Sequence, residues 1–184
     1  MRLRATAILA LGLWVPAAAA GTIERLETAH DDGRYTVSFE VVLDAPRDRV
    51  WAIMTDYERL PRVSKIITES RILKQEDAHR HRVGVTLEAC ILIFCKTVKR
   101  VVDIAARPQT EITVTEDPAS PHFRSAVERW QVAAEGTATR LNYTAEVVPN
   151  FFIPPLIGPP VVKYFLRREI KLTALEVEAL AKHE

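Results

Sequence analysis

The feature that most constrains this chain is a run of strand-patterned segments closed by one long amphipathic segment. Residues 34–43, RYTVSFEVVL, put Tyr35, Val37, Phe39, Val41 and Leu43 on one side, and Thr36, Ser38 and Glu40 on the other. A period of two marks a strand buried on one face only. Six further segments read as strands: 67–75, 80–89, 96–106, 111–116, 125–134 and 139–148. Short polar turns join them, and Gly136 marks a tight turn between the last two. Connections of hairpin length predict an antiparallel meander, because parallel neighbours need long crossovers.

Helical pattern occurs in two places. After the first strand, Asp44-Ala45-Pro46 stops the extended run, with Asp44 placed to cap a short helix over 46–55. That helix would bury Val50, Trp51, Ile53 and Met54, and Asp56 is placed to cap a second short helix ending near Pro61. Residues 159–182 form the long helix. Val162, Leu166, Ile170, Thr173, Val177 and Leu180 make one stripe, widened by Val161, Phe165, Leu172 and Ala179. Lys163, Arg167, Lys171, Glu178 and Lys182 take the opposite face. So broad a stripe suits a helix laid across a sheet, and its length of roughly 36 Å crosses a small domain. The predicted class is α+β: a helix-grip fold, a curved antiparallel sheet wrapped around a long C-terminal helix, with two short helices after the first strand.

The N-terminus has a different character. Arg2 and Arg4 precede an apolar run over 5–15, and Ala17 to Ala20 offer small residues before Gly21. This is the plan of a secretory signal peptide over 1–20, with cleavage expected after Ala20. The apolar run falls short of the roughly 20 residues of a membrane-spanning helix. Removal of the leader leaves 164 of the 184 residues and takes the formal charge from +1 to −1. A near-neutral chain has no overall attraction for nucleic acid. Residues 21–184 are expected to form a single domain, periplasmic or secreted, with a monomer as the expected state.

The segment LDAPRDRVWAIMTDYERLPRV, residues 43–63, carries Ala45-Pro46, Val50-Trp51, Asp56-Tyr57 and Pro61 in a distinctive order. Trp130 with Gly136-Thr137 and Thr139-Arg140 follows, and then Pro149-Asn150-Phe151-Phe152-Ile153-Pro154-Pro155 ahead of the last helix. In order and spacing these resemble the START-like (SRPBCC) superfamily, and within it the polyketide cyclase/dehydrase and coenzyme Q-binding START-like proteins. The resemblance covers roughly residues 33–182. It implies a deep, mostly apolar cavity for lipids, quinones or polyketides, without fixing the function.

Catalytic signals are sparse. Of the five histidines, His79 and His81 share a strand face, but they sit in the charged turn segment 76–82, where solvated side chains are the expected outcome. No metal site, catalytic set or cofactor is predicted, since no two-His helix, phosphate-cradling glycine loop or nucleophile elbow is present. Asn142-Tyr143-Thr144 matches a glycosylation sequon but lies inside a predicted strand. Cys90 and Cys95 bracket Ile91-Leu92-Ile93-Phe94. In one continuous strand they would face opposite ways, roughly 16 Å apart. Across a hairpin they come within bridging distance, and in an exported chain with two cysteines a disulfide is expected.

The apolar tip 91–94 and the equally apolar 151–160 either pack on each other or form a greasy rim that touches a membrane or admits a lipid. Trp51, Tyr57, Trp130, Phe152 and Phe165 are the candidate ligand-contacting side chains. The directions of Glu40, Glu88, Arg100, Glu128 and Arg129 stay open. The expected function is an exported binding protein for an apolar small molecule, a lipid or isoprenoid quinone, held between sheet and C-terminal helix. The alternatives are a cyclase or aromatase-type enzyme acting on a hydrophobic substrate, and an envelope protein-interaction module.

Overall fold

The computed structural model describes residues 22–91, 94–151 and 159–183. Strands β1 (Thr22–Asp31) and β2 (Arg34–Leu43) form an N-terminal hairpin, followed by helix α1 (Arg47–Met54) and a single 3₁₀ turn, Leu60–Arg62. Then come β3 (Ile67–Gln75), β4 (Arg80–Ile91), β5 (Phe94–Arg107), β6 (Glu111–Glu116), β7 (Phe123–Glu135), β8 (Ala138–Pro149) and helix α2 (Pro159–His183). The strands make one curved sheet in the order β1-β2-β8-β7-β6-β5-β4-β3. Each neighbouring pair is antiparallel. The helix-grip architecture is therefore present, and the predicted strands fall where the alternation placed them.

Strand β1 is an addition to the expected set. Its turn to β2 is Asp32-Gly33, with φ of 43° and 75°, and two consecutive left-handed residues are what a tight two-residue hairpin requires. The second predicted short helix is only the 3₁₀ turn. Asp56 does not cap it through its side chain; its carboxylate instead holds Arg59 at 2.6 Å and Arg62 at 3.0 Å. Asp44 does not cap α1 either, whose N-cap is Pro46 without a side-chain bond. Its N–H donates to Glu178 Oε1 at 3.0 Å, and its carboxylate accepts from Lys182 Nζ at 2.8 Å. Both groups tie the end of β2 to the last turn of α2.

The helix α2 therefore docks in a rotation slightly different from the expected stripe. Ala174, Val177 and Ala181 are buried, as is Glu178, while Ala179 is exposed. Two alanines flanking Val177 let the helix backbone approach α1 and the sheet closely. Glu178 is brought inward by the backbone N–H of Asp44, which satisfies one of its oxygens.

The sheet's inner face holds two apolar clusters. The first joins Leu26, Phe39, Val41, Leu43, Val50, Ile53, Val132 and Leu141 to Ala174, Val177 and Ala181 of α2. The second gathers Tyr57, Val83, Val102, Ile104 and Ile112. Trp51, Met54 and Trp130 pack against both. Leu43, Val41, Val50 and Val83 are the largest fully buried apolar side chains, each worth roughly 1.5–3 kcal/mol of transfer free energy. The C-terminal half of α2 thus sits on packed core. Toward its N-terminal half, Phe165, Leu166 and Ile170 are only half-buried and Tyr164 is exposed.

Candidate functional site

Cross-strand register assigns the polar residues that the sequence left undirected. Val102 pairs with Glu116, Val114 with Glu128 and Trp130 with Tyr143. Directly paired residues share a face of the sheet. Glu116, Glu128 and Tyr143 therefore lie on the same inner face as buried Val102, and Arg100, two residues along β5, joins them. Glu40 and Arg129 belong to the opposite face, where Glu40 pairs with Arg140, and Glu88 is exposed.

These inner residues form a polar line across four adjacent strands, β8 to β5. Tyr143 Oη donates to Glu128 Oε2 at 3.0 Å. Glu128 Oε1 stands 2.8 Å from Arg100 Nη2. Arg100 Nε donates to Glu116 Oε2 at 2.7 Å. The charged side chains are well shielded: Arg100 is 13% exposed, Glu128 15% and Glu116 1%. Burial alone would pull the Arg100 guanidinium down, but the two carboxylates outweigh it and hold its pKa above the ordinary arginine value. Burial, and then the Glu128 charge, push the Tyr143 phenol well above the usual tyrosine range. Tyr143 is thus a fixed proton donor.

The Phe123 ring lies 5.2 Å from the Arg100 guanidinium carbon and 6.1 Å edge-on to Phe151, whose ring faces Lys96 Nζ at 5.1 Å. The polar line therefore sits toward the end of the sheet where β8 leaves for α2.

The candidate aromatic residues are partly united. Trp130 packs on Phe39 and Tyr143, at 5.6 and 4.4 Å between ring centroids. Trp51 is half-buried and joins both clusters. Tyr57 is buried, with its ring 5.2 Å from that of His81. Phe165 is half-buried on α2. Phe152 lies outside the described residues, as do the tip residues 92–93 and the leader 1–20.

His79 is exposed while His81 is half-buried, and the Tyr57 hydroxyl and His81 Nδ1 are buried with no hydrogen-bond partner among the described residues. Burial pushes the Tyr57 phenol up to about 12. Its unfolded counterpart loses its proton near 10, so above pH 10 the unfolded chain binds fewer protons and stability falls until about pH 12. Tyr57→Phe should be neutral or stabilising by up to about 1 kcal/mol at pH 7, because it removes an unpaired buried hydroxyl. It should also recover about 1.4 kcal/mol of the alkaline loss at pH 11; urea melts of both proteins at pH 7 and pH 11 check this.

Cys90 and Cys95 face each other across the β4–β5 hairpin and are bonded, with Cα atoms 4.0 Å apart. Denatured, unreduced protein should show no titratable thiol. Reduction should cost about 2 kcal/mol, the low end for a disulfide, because the loop it closes is short.

Among the described residues no three metal-ligating side chains converge, and no helix is long and apolar enough to cross a membrane. An open cleft of about 810 Å³ lies on the outer face of the sheet, lined by Glu27, Thr36, Ser38, Arg129, Thr144 and Glu146 among others. It is open and lies on the face of the sheet opposite the inner aromatic residues.

The fold is shared with solved structures of low sequence identity. A START superfamily protein from Mycobacterium smegmatis matches at 18% identity with a TM-score of 0.63, over 80% of this chain and 97% of that one. The Zhui aromatase/cyclase from Streptomyces sp. R1128 matches at 14% identity with a TM-score of 0.65, over 82% and 94%. The STAR-related lipid transfer protein from Xanthomonas axonopodis matches at 14% identity with a TM-score of 0.61, over 83% and 98%. A search of curated proteins gives no match. The family model described as polyketide cyclase/dehydrase and lipid transport matches residues 34–182. With that match spanning the elements from β2 to α2, the chain belongs to the polyketide cyclase/dehydrase and lipid transport family.

Proposed function

We propose that this protein is an exported carrier that binds an apolar small molecule, a lipid or isoprenoid quinone, between the inner face of the sheet and α2. The observation that carries the reading is the uneven docking of α2. Its C-terminal half is buried at Ala174, Val177 and Ala181, while Phe165, Leu166 and Ile170 are only partly buried, with Leu166 and Ile170 at the margin of the first cluster. Apolar surface left over a concave sheet is where burial of a ligand gains about 25 cal/mol per Å². The leader pattern and the Cys90–Cys95 bond support export to an oxidising compartment. Trp51, Tyr57, Trp130, Phe152 and Phe165 are the proposed ligand contacts.

Native mass spectrometry of the purified protein, after exposure to a lipid and quinone extract, tests this. A retained apolar molecule of unchanged mass is the expected result; failure to retain any across a broad panel removes the proposal. A second reading, a cyclase-type enzyme, gains from one observation: the inner wall carries the carboxylates Glu116 and Glu128. Release of the bound molecule with loss of water would favour that reading over the carrier.

A further inference from the structure

The β4–β5 hairpin reaches past its neighbours. β3 pairs with β4 as far as Leu87, and β6 pairs with β5 only from Val102 onward. Beyond those points β4 and β5 pair with each other alone, without a register shift, out to Ile91 and Phe94. A ribbon of two strands is marginal in water by itself. Its base is well tied: Glu88 N–H donates to Ile66 O at 2.7 Å, Asp117 N–H donates to Val101 O at 2.9 Å, and Val98 is buried. Farther out, Lys96 Nζ sits over the Phe151 ring at 5.1 Å, and the Cys90–Cys95 bond joins the two strands directly opposite one another. Alternation separates the faces of this ribbon. Cys90 and Cys95 share parity with Thr86 and Lys99 on the outer face, and both are exposed. Lys96, Val98 and Arg100 share parity with buried Val102 on the inner face. That inner face borders the proposed ligand space, because Phe151 follows β8 on the way to α2, and α2 contacts β1 and β2 at one margin of the sheet and β4 toward the other. The bond is therefore reachable from solvent, while the strands that it clamps flank the ligand. The chain has two cysteines, so opening the bond yields two thiols that can return only to each other within the chain.

We propose that the Cys90–Cys95 bond is a thiol–disulfide exchange site, opened by a dithiol reductant, and that its state sets how firmly the ligand is held. A thiolate of the reductant attacks one sulfur and forms a mixed disulfide; the other cysteine leaves as a thiolate and takes up a proton. The reductant's second thiol gives up its proton, attacks the mixed disulfide and frees the remaining cysteine. The reductant ends as a disulfide, having lost two electrons, and Cys90 and Cys95 end as thiols. A disulfide donor reverses both steps. Exposed disulfides are the labile ones. A bond so near a hairpin tip closes a short loop and restrains the unfolded chain little, so its main action is on the ribbon itself. With the bond open, the ribbon keeps its strand pairing and loses its clamp, and its inner face yields beside Phe151. This inference rests on the carrier reading above, since the ligand released is the one proposed there.

Dithiothreitol added to the folded protein tests it, with thiols counted by maleimide labelling and mass spectrometry. Both cysteines should be reduced without denaturant, at a rate within about tenfold of that in concentrated urea. The neutral apolar fluorophore N-phenyl-1-naphthylamine then reports the pocket. Its dissociation should become roughly tenfold faster on reduction and return to the first rate on reoxidation with oxidised glutathione. Circular dichroism should show the same fold in both states. Cys90→Ser combined with Cys95→Ser should release the fluorophore as fast as the reduced protein does and ignore the reductant; reduced protein blocked with iodoacetamide serves if that variant does not fold. A bond reduced only in urea overturns the exchange site. Reduction that lowers the melting temperature but leaves the dissociation rate unchanged overturns the control of binding, and the bond is then a clamp for stability alone. Failure of the fluorophore to bind in either state overturns the carrier reading, and the redox control with it.

Discussion

Exchange of Arg100 for methionine should lower the unfolding free energy by about 3–5 kcal/mol, the usual consequence of removing one partner from a buried ion pair. Arg100 is the only cation in contact with Glu116 and Glu128 among the described residues. Its loss leaves two shielded carboxylates, with Tyr143 the remaining donor, and that to Glu128. Methionine fills much of the same volume, so the loss reports charge and not packing. A triple change, Arg100→Met with Glu116→Gln and Glu128→Gln, should recover most of the deficit, because no isolated charge remains. Urea unfolding of the three proteins at pH 7 gives the answer. A deficit under 1 kcal/mol in the single variant would mean that water reaches both carboxylates.

Val177→Asp should be the most damaging single change on α2, costing at least about 4 kcal/mol, since it places a charge where 4% of the residue is exposed and its neighbours are apolar. Ile170→Asp, about two turns nearer the N-terminus of α2, should be milder because Ile170 is only half-buried and the carboxylate can reach water. Circular dichroism melts of both should show no cooperative transition for the first and a lowered one for the second. Equal loss in both would mean that α2 is packed as tightly along its whole length, which would weaken the case for ligand beneath its N-terminal half.

The strands were legible because alternation is a direct record of which face is wet. The strand β1 escaped because its record is broken: the register shifts between Ile23 and Arg25, so Ile23 and Leu26 turn inward three residues apart, and the next inward position is the polar Thr28. The Asp32-Gly33 turn was the remaining signal for it. Capping was misread at Asp44 and Asp56 for a different reason. Both carboxylates found cations, Lys182 on a distant helix and Arg59 with Arg62 nearby, and the first of these is set by tertiary packing.

The polar line was invisible in the same sense. Arg100, Glu116 and Glu128 occupy positions in their strands whose neighbours of like parity are apolar, Val102 and Ile104, Val114 and Ile112, Ala126 and Trp130. That parity was the available clue, but only cross-strand register brings three separate charges together. The aromatic candidates were easier, because Trp51, Tyr57 and Trp130 are large and flanked by core residues. Residue type alone does not separate a wall from a core.

The seam between β2 and β8 has a consequence for how the chain reaches its native state. Arg140 and Glu40 meet there although they are 100 residues apart, and the sheet is continuous only once that seam forms. Nearly the whole polypeptide must therefore exist before this pairing can begin. Such high contact order predicts folding in milliseconds to seconds and not microseconds. A ribosome-bound fragment ending before β8 has nothing to join the β1–β2 hairpin to the other strands and stays open. For the exported carrier proposed above, which would be threaded unfolded through a translocon, this delay is an advantage: the sheet would not close until its last strand had crossed.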